Sequence, residues 1–502
     1  MNKLVYLLPY LPLILTILFG ISHLLMQVYL PASRRNWLSY AAIVQMSFLG
    51  MVTVLCYTAQ MRLGDLTAAD QNYAVQAYAF LDGFALFFYL LLITAGFVTV
   101  LSSAYYLERE KLVPGEFYSL LFFSLSGMMV LVSGRDLMTL FVGLEIMSMA
   151  VYILVGYRRQ DVRSNEGAFK YFLLGSMASA LLLYGIALTY GSTGTVELAA
   201  IQRYYIGQSL NSVGALGMMF ILGGLAFKVA AVPFHNWTPD AYEGAPMPIT
   251  GFMATAVKAA AFALMLKILG EAFIGLRSYW FEVVAVLAAL TMMTGNIMAF
   301  TQSNIKRLLA YSSIAHTGYL LVGISSLSIH GNSQIKAAVL YYLFIYVFSS
   351  LGLFLALTYL SSQGESRQNI EDFAGLAKQH PLSALMITLF MFSFIGIPPL
   401  GGFFAKYFLL SEAMRQQQGL LVAFAILNSI LSVAYYLRVV SVMYFKPVSE
   451  HAPEIKERPL ALGLVMSLSA VIILWAGFAP INLLGLIPGL TPLIEWLQAI
   501  PV

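Results

Sequence analysis

Of the 502 residues, 60% are hydrophobic and 10% charged, with 27 Lys and Arg against 23 Asp and Glu, a net charge of +4 and a mean hydropathy of +0.81. Soluble domains carry about 25% charged residues, so a water-soluble globule is excluded. The apolar residues suffice for on the order of fourteen bilayer crossings at about 20 residues each. The lone cysteine, Cys56, can neither close an intramolecular disulfide nor ligate an iron–sulfur cluster, and the six histidines are scattered without haem or zinc spacing. Neither G-x-x-x-x-G-K-[ST] nor G-x-G-x-x-G occurs, so a nucleotide-driven pump and a flavin enzyme acting alone lose their usual phosphate cradle. Any energy input has to come from a gradient or a partner.

Runs such as LVYLLPYLPLILTILFGI and LSALMITLFMFSFIGI are apolar at both parities, which excludes a membrane β-barrel and predicts an all-α polytopic membrane protein. In chain order the expected spans are 4–28, 38–59, 82–105, 116–133, 137–156, 165–190, 212–232, 249–269, 281–301, 309–327, 336–360, 382–411, 419–444 and 459–478. The first follows MNK without a small-residue cleavage site and reads as a retained helix. Loops after odd-numbered spans hold fourteen basic residues, among them Arg109, Arg158, Arg159, Arg163, Lys306, Arg307, Arg367 and Lys446. The opposite side holds six: Lys3, Arg62, Arg135, Arg203, Arg277 and Arg415. The positive-inside bias then puts both termini on the periplasmic face and the two longest polar loops in the cytoplasm.

The informative residues are the charges inside apolar sequence, since one charged side chain at mid-bilayer costs roughly 2.5–3.5 kcal/mol even on the lenient insertion scale. Glu145 lies near the centre of the fifth span, too deep to reach an interface. Lys228 in GGLAFKVAAVPFHNW, Lys258 in GFMATAVKAAAFALML and Lys406 in IPPLGGFFAKYFLLS are likewise embedded. The competing reading of each is structural, a polar tie between helices. Lys170, Lys267, Lys336 and Arg438 lie near span ends and are expected to extend to the interface. His316, among Ser312, Ser313, Thr317 and Tyr319, can accept and donate a proton near neutral pH, or can simply be a satisfied buried histidine. His235 and the stripe Tyr341, Tyr342, Tyr346 read as interface and packing residues.

Two of the spans are interrupted. Pro233 frees the carbonyl of Val229, and Pro398 with Pro399 frees those of Phe394 and Ile395. Non-helical backbone at this depth has to be buried in protein or line a watery cavity. The breaks fall in the seventh and twelfth spans, five apart and hence opposite in direction, as an inverted repeat of spans 4–8 and 9–13 requires. The expected blocks are 1–115 (spans 1–3), 116–270 and 271–445 (the two repeats) and 446–502 (span 14 and a periplasmic tail).

A lysine withdrawn from water changes its hold on a proton steeply as a carboxylate or water approaches, and neighbouring groups at low dielectric bias one another. A row of such groups on at least four helices suits a proton relay better than the single concave pocket of a solute transporter.

The stretches GLEIMSMAVYILVGYRR, GLAFKVAAVPFHNWTPDAYEGAPMPITGFMATAVKAAAFALML, QSNIKRLLAYSSIAHTGYLLVG and FIGIPPLGGFFAKYFLL resemble, in order and over roughly residues 80 to 445, the antiporter-like membrane subunits of respiratory complex I, most closely the N type. The resemblance implies a proton-translocating subunit of a bacterial NADH:quinone oxidoreductase in the cytoplasmic (inner) membrane, with no redox catalysis by this chain alone. It implies that Glu145 and Lys228 form a controlling ion pair, Lys258 is the central relay lysine and Lys406 the terminal one; His316 is a possible further member. The M type has a glutamate where Lys406 stands, and the L type needs an additional lateral helix for which no residues remain. The implied partners are the K, M and L types and the lipid bilayer, without nucleic acid; FMN, iron–sulfur clusters, NADH and quinone would reside in other subunits. The same charged helices are compatible with a multi-subunit cation/proton antiporter, with a relative fed by ferredoxin or linked to plastoquinone, and with a structural spacer.

Overall fold

The structure, a computed structural model, describes residues 8–31, 36–64 (60–64 without side chains), 81–206, 211–328, 333–361, 364–365, 367–448 and 459–478. The helices in chain order are α1 (Leu11–Tyr29), α2 (Asn36–Gly64), α3 (Gly83–Arg109), α4 (Phe117–Ser133), α5 (Leu137–Val155), α6 (Val162–Thr193), α7 (Leu198–Tyr205), α8 (Ser212–Lys228), α9 (Trp237–Gly244), α10 (Met247–Phe252), α11 (Lys258–Lys267), α12 (Arg277–Phe300), α13 (Ile305–Ser325), α14 (Ser333–Leu360), α15 (Leu376–Gln379), α16 (Pro381–Ile395), α17 (Gly401–Arg415), α18 (Gly419–Phe445) and α19 (Leu460–Phe478). A π-helical turn, Met253–Val257, joins α10 to α11 and another, Ile268–Ala272, extends α11, so that Met247–Ala272 is one rod. Among the described residues eleven elements are long and apolar enough to cross a membrane, and the shorter α4, α8 and α16 bring the crossings to the fourteen places expected. The start of the first span and both chain ends lie outside the described residues.

Helix starts are fixed by short polar residues whose side chains take up orphan N–H groups: Asp82 accepts from Ala85 N, Asp136 from Thr139 N and Asn211 from Gly214 N, at 2.8, 2.8 and 2.7 Å. The expected breaks are real. The seventh span stops at Lys228 and resumes as α9; the twelfth stops at Ile395 and resumes at Gly401. Two of the freed carbonyls are taken up by side chains, Val229 O by Thr317 Oγ1 at 2.7 Å and Ile395 O by Lys406 Nζ at 2.9 Å.

Two loop contacts share one form. Before α5, Leu137 N donates to Val196 O and Leu198 N to Arg135 O; before α13, Ile305 N donates to Gln368 O and Ile370 N to Ser303 O. Asp136 thus bridges Glu197 as Asn304 bridges Asn369. The two bridges are five crossings apart and so sit at opposite ends of the bundle.

Close packing depends on small residues. A Cβ on Gly127 would lie 2.5 Å from the backbone N of Met147, so glycine lets α4 touch α5 backbone to backbone. The apolar stretches of the Met247–Ala272 rod and of α13 are buried throughout, whereas α1, α2, α6, α12 and α18 present apolar outer faces. These two enclosed helices carry Lys258 and His316, away from lipid.

Candidate functional site

Lys228, Lys258 and Lys406 are 7%, 6% and 7% exposed, which rules out extension to an interface. Each ammonium is met by neutral acceptors. Lys228, the last residue of α8, reaches α5, donating to Ser148 Oγ at 2.9 Å and Tyr152 Oη at 3.2 Å. Ser148 passes its own hydroxyl proton to Leu144 O at 2.6 Å, which leaves its oxygen free to accept. Glu145, one turn away on α5, is half-buried and accepts a bond from Ser179 Oγ of α6 at 2.5 Å. The ion pair expected between Glu145 and Lys228 is therefore not closed here: no N···O contact within 4.0 Å joins them among the described residues, because Ser148 and Ser179 hold the two charges apart.

The second half of the site is organised on α13. Lys258 donates to Ser313 O at 2.6 Å and to Ser313 Oγ, and its ammonium lies 5.2 Å from the centre of the Tyr346 ring. Tyr346 Oη donates to Ser313 Oγ at 2.9 Å, and Tyr242 Oη approaches the same oxygen at 3.3 Å. One turn on, His316 contacts Tyr342 Oη through Nδ1 at 2.7 Å and Tyr436 Oη through Nε2 at 3.3 Å, and Tyr436 in turn meets Ser312. The imidazole packs 5.1 Å from the Tyr346 ring and 5.0 Å from that of Phe394. Lys406 follows, bonded to Ile395 O and, at 2.8 Å, to Ser429 Oγ of α18, with Tyr319 of α13 beneath its ammonium at 4.7 Å. Between His316 and Lys406 lies a cavity of about 10 Å³, also lined by Tyr342, Tyr346, Ser349 and Ser393. That is about the volume one water molecule needs.

The structure thus brings Lys258, His316 and Lys406 together and sets Glu145 of α5 and Lys228 of α8 apart from them; no hydrogen bond among the described residues joins Lys228 to Lys258. Sequence reasoning missed Ser148, Tyr152, Tyr242, Tyr436 and Ser429, and treated Tyr342 and Tyr346 as packing. Of that stripe only Tyr341 turns away, to Ala476 O at 2.9 Å. Two further expectations divide. Lys170 does reach the surface, pairing with Glu166 and Asp240 at 2.6 and 2.7 Å. Lys267 does not: it is 8% exposed and donates to Gly134 O at the end of α4 at 2.7 Å, since a helix C-terminus offers a cation both an acceptor and a favourable dipole.

At the end of the bundle where the loops after odd-numbered spans gather, the charges pair. Glu365, fully buried, accepts from Tyr106 Oη at 2.8 Å, Met247 N at 2.9 Å and Lys306 Nζ at 3.1 Å, with Arg158 at 3.7 Å. Burial pushes its carboxyl up, but Lys306, Arg158 and the hydrogen bonds more than offset this and hold it below the ordinary carboxylate range. Asp240 is paired as well, with Lys170 and Arg307, each at 2.7 Å. Beside them a polar cavity of about 640 Å³ opens between Arg163, Glu243, Asn304, Arg307 and Gln368. Tyr242, on α9 between Asp240 and Glu243, connects this end to Ser313. Among the described residues no three His, Cys, Asp or Glu side chains converge as a metal ion needs.

Residues 134–432 match the family described as NADH:quinone oxidoreductase/Mrp antiporter, transmembrane. The chain is 40% identical over 465 residues to NADH-quinone oxidoreductase subunit N of Trichlorobacter lovleyi, covering 92% of each. Its fold superposes on a chain of respiratory complex I from Thermus thermophilus with a TM-score of 0.77 and 32% identity, over 93% of this chain and 97% of that one. It also superposes on a chain of the Mrp complex from a Dietzia species with a TM-score of 0.79 at 22% identity, over 97% and 99%, a likeness of fold alone.

Proposed function

The chain belongs to the NADH:quinone oxidoreductase/Mrp antiporter family of transmembrane subunits, and from that premise we propose that it works as the N-type subunit of an NADH:quinone oxidoreductase, moving protons across the membrane while electron transfer proceeds in partner subunits. The K, M and L types are its expected neighbours, and FMN, iron–sulfur clusters and the sites for NADH and quinone belong to other chains of the assembly. The end carrying Glu365, Asp240 and Arg307 faces the cytoplasm and both termini face the periplasm, in keeping with the positive-inside bias. The paired loop bridges before α5 and α13, together with the two broken spans, support blocks 116–270 and 271–445 as inverted repeats.

The observation that carries the relay is the sequence of contacts on α13: Lys258 on Ser313, His316 one turn on, and a one-water cavity before Lys406. A proton held by Lys258 passes through the hydroxyls of Ser313 and Tyr346 to His316 by way of the cavity that Tyr346 and His316 both line, since no hydrogen bond among the described residues joins Tyr346 to the imidazole. The imidazole takes it on one nitrogen while releasing from the other, and a water in the cavity delivers it to Lys406. Glu145 and Lys228 control occupancy of this row. With Lys228 held on Ser148 the pair is open; closing it changes the field at Lys258, which low dielectric makes large. Replacing Glu145 by Gln or Lys228 by Ala in the assembled complex, reconstituted into vesicles, is expected to abolish most NADH-driven proton uptake and to slow quinone reduction. Assembly and pumping at the parental rate in both variants would refute the assigned roles.

A further inference from the structure

The two broken spans are held by more than α13. Val232 stands four residues past the end of α8, and its backbone N–H, outside any helical turn, donates to Thr291 Oγ1 of α12 at 2.9 Å. Pro399 stands four residues past the end of α16, and its carbonyl lies against Gly477 of α19. The same register of each break is therefore met by the helix two crossings further along the chain, the ninth span for the seventh and the fourteenth for the twelfth. The two bracing helices are five crossings apart, as the breaks are.

The contact made by α19 is backbone on backbone. A Cβ on Gly477 would overlap the carbonyl oxygen of Pro399 and lie 2.6 Å from its carbon, so a glycine is needed for the helix to rest on the break. One residue earlier, Ala476 O accepts from Tyr341 Oη of α14 at 2.9 Å, and both residues are fully buried. A Cβ on Gly401, the first residue of α17, would sit 3.1 Å from Ala476 Cβ and 3.2 Å from Ile473 O. The last turns of α19 fill the angle between α14 and α17 at the break. Those two helices wall the one-water cavity of the relay, α14 with Tyr342, Tyr346 and Ser349 and α17 with Lys406. Tyr342, which meets His316, is the chain neighbour of Tyr341. Lys406 follows Gly401 by five residues, about 7.5 Å of helix rise, so a shift of the first turn of α17 carries the ammonium with it.

We propose that α19 is a brace that sets the gap between His316 and Lys406, with Gly477 and Tyr341 as positioning residues for proton transfer, and that it stands to the twelfth span as α12 with Thr291 stands to the seventh. The inference rests on the relay reading above and deepens it: Gly477 fixes the side of the gap that carries Lys406, and Tyr341 fixes the side that carries Tyr342. Each repeat then borrows the span that follows it. The ninth span serves twice, as the first member of the second repeat and as the brace of the first, and the fourteenth completes the pattern for the second.

Three variants of the assembled complex in vesicles decide the matter, each read as NADH-driven proton uptake per assembled complex and as the pH profile of that uptake. Gly477→Ala drives α19 and the break apart by about 1 Å, and a misplacement of that size should slow uptake at least about tenfold. Tyr341→Phe keeps the ring and removes one hydrogen bond, for an expected loss of about fivefold. Gly463→Ala, on the same helix where an added Cβ meets nothing within 4 Å, should take up protons at the parental rate. A histidine and a lysine displaced from one another change the shape of the pH profile, whereas a packing defect only scales the rate or the yield of complex. Slower uptake with a changed profile in Tyr341→Phe supports the brace even where Gly477→Ala fails to assemble. Parental uptake in Tyr341→Phe, a reduced rate with the parental profile, or equal losses in all three variants overturns it. Uptake that survives Lys406→Arg or the loss of Glu145 or Lys228 overturns the relay itself, so the two failures are distinguishable.

Discussion

Replacing Ser313 by Ala tests the relay at its most connected atom. Ser313 Oγ receives Lys258 and Tyr346 and is approached by Tyr242, so one hydroxyl joins three elements. Alanine fits the space and leaves the Ser313 O contact to Lys258, at 2.6 Å, in place. The lysine therefore stays in position and loses one charge-assisted bond, worth about 1.5–3 kcal/mol. If that bond is part of the path for the proton, the same energy appears in the barrier and slows transfer by between about tenfold and about a hundredfold. The assay is NADH-driven proton uptake by vesicles containing the assembled complex, read beside quinone reduction and beside the amount of complex formed. Ser326→Ala is the control, since that buried hydroxyl, on the residue that caps the C-terminal end of α13, bonds among the described residues only to the backbone one turn back, Val322 O at 2.7 Å. Uptake by Ser313→Ala at the rate of the Ser326→Ala control would show that the proton does not travel through Ser313.

Lys406→Arg keeps the charge but fixes the proton, because arginine does not release it in proteins; uptake should fall while the complex still assembles, and uptake at the parental rate would remove Lys406 from the relay. Glu365→Gln should lower the melting temperature of the complex at neutral pH, since breaking a buried pair that leaves Lys306 without its counter-charge costs about 3–5 kcal/mol. The sign of the pH effect follows from the depressed carboxyl: its contribution is complete above the ordinary carboxylate range and disappears as pH falls below that range, so parent and variant should converge in acid. A melting difference that persists unchanged into acid would show that Glu365 does not act through its charge.

The charges and the breaks were legible because each violates the apolar background. Glu145, Lys228, Lys258 and Lys406 stand out by cost, and Pro233, Pro398 and Pro399 by the hydrogen bonds they remove, so even the freed carbonyls of Val229 and Ile395 were identifiable. The groups that receive them were not. Ser148 accepts from Lys228, whereas Thr99 only returns its hydroxyl to Ala95 O at 2.8 Å, and both are small hydroxyl residues in apolar helices with the same local habit of bonding the preceding turn. Which of them meets a lysine depends on a helix distant in sequence. Tyr341, Tyr342 and Tyr346 divide for the same reason, two facing His316 and Ser313 and one facing the end of α19. Lys267 was misread because nearness to a span end suggested water, while the nearest polar group was the end of another helix.

The register of the two loop bridges places the polar groups of both halves on one scheme and separates their roles. Glu145 stands nine residues after Asp136, as Ser313 stands nine after Asn304; Ser148 and His316 each stand twelve after the same markers. The equivalent depths are thus occupied by carboxylate and hydroxyl in the first half, and by hydroxyl and imidazole in the second. A cation in the first half has a fixed negative charge one turn from its acceptor. Around α13 of the second half, Lys258, which comes from the first, and Lys406 find hydroxyls, backbone carbonyls and aromatic faces, none of which carries charge. Neutral dipoles can turn with a moving proton and then turn back, whereas a fixed anion retains its partner. That difference supports the proposal that Glu145 and Lys228 control and the row on α13 conducts. Both helix breaks are also tied to α13, one through Thr317 on Val229 O and the other through Tyr319 beneath Lys406, so the helix proposed to conduct is the one on which both interruptions of the bundle rest.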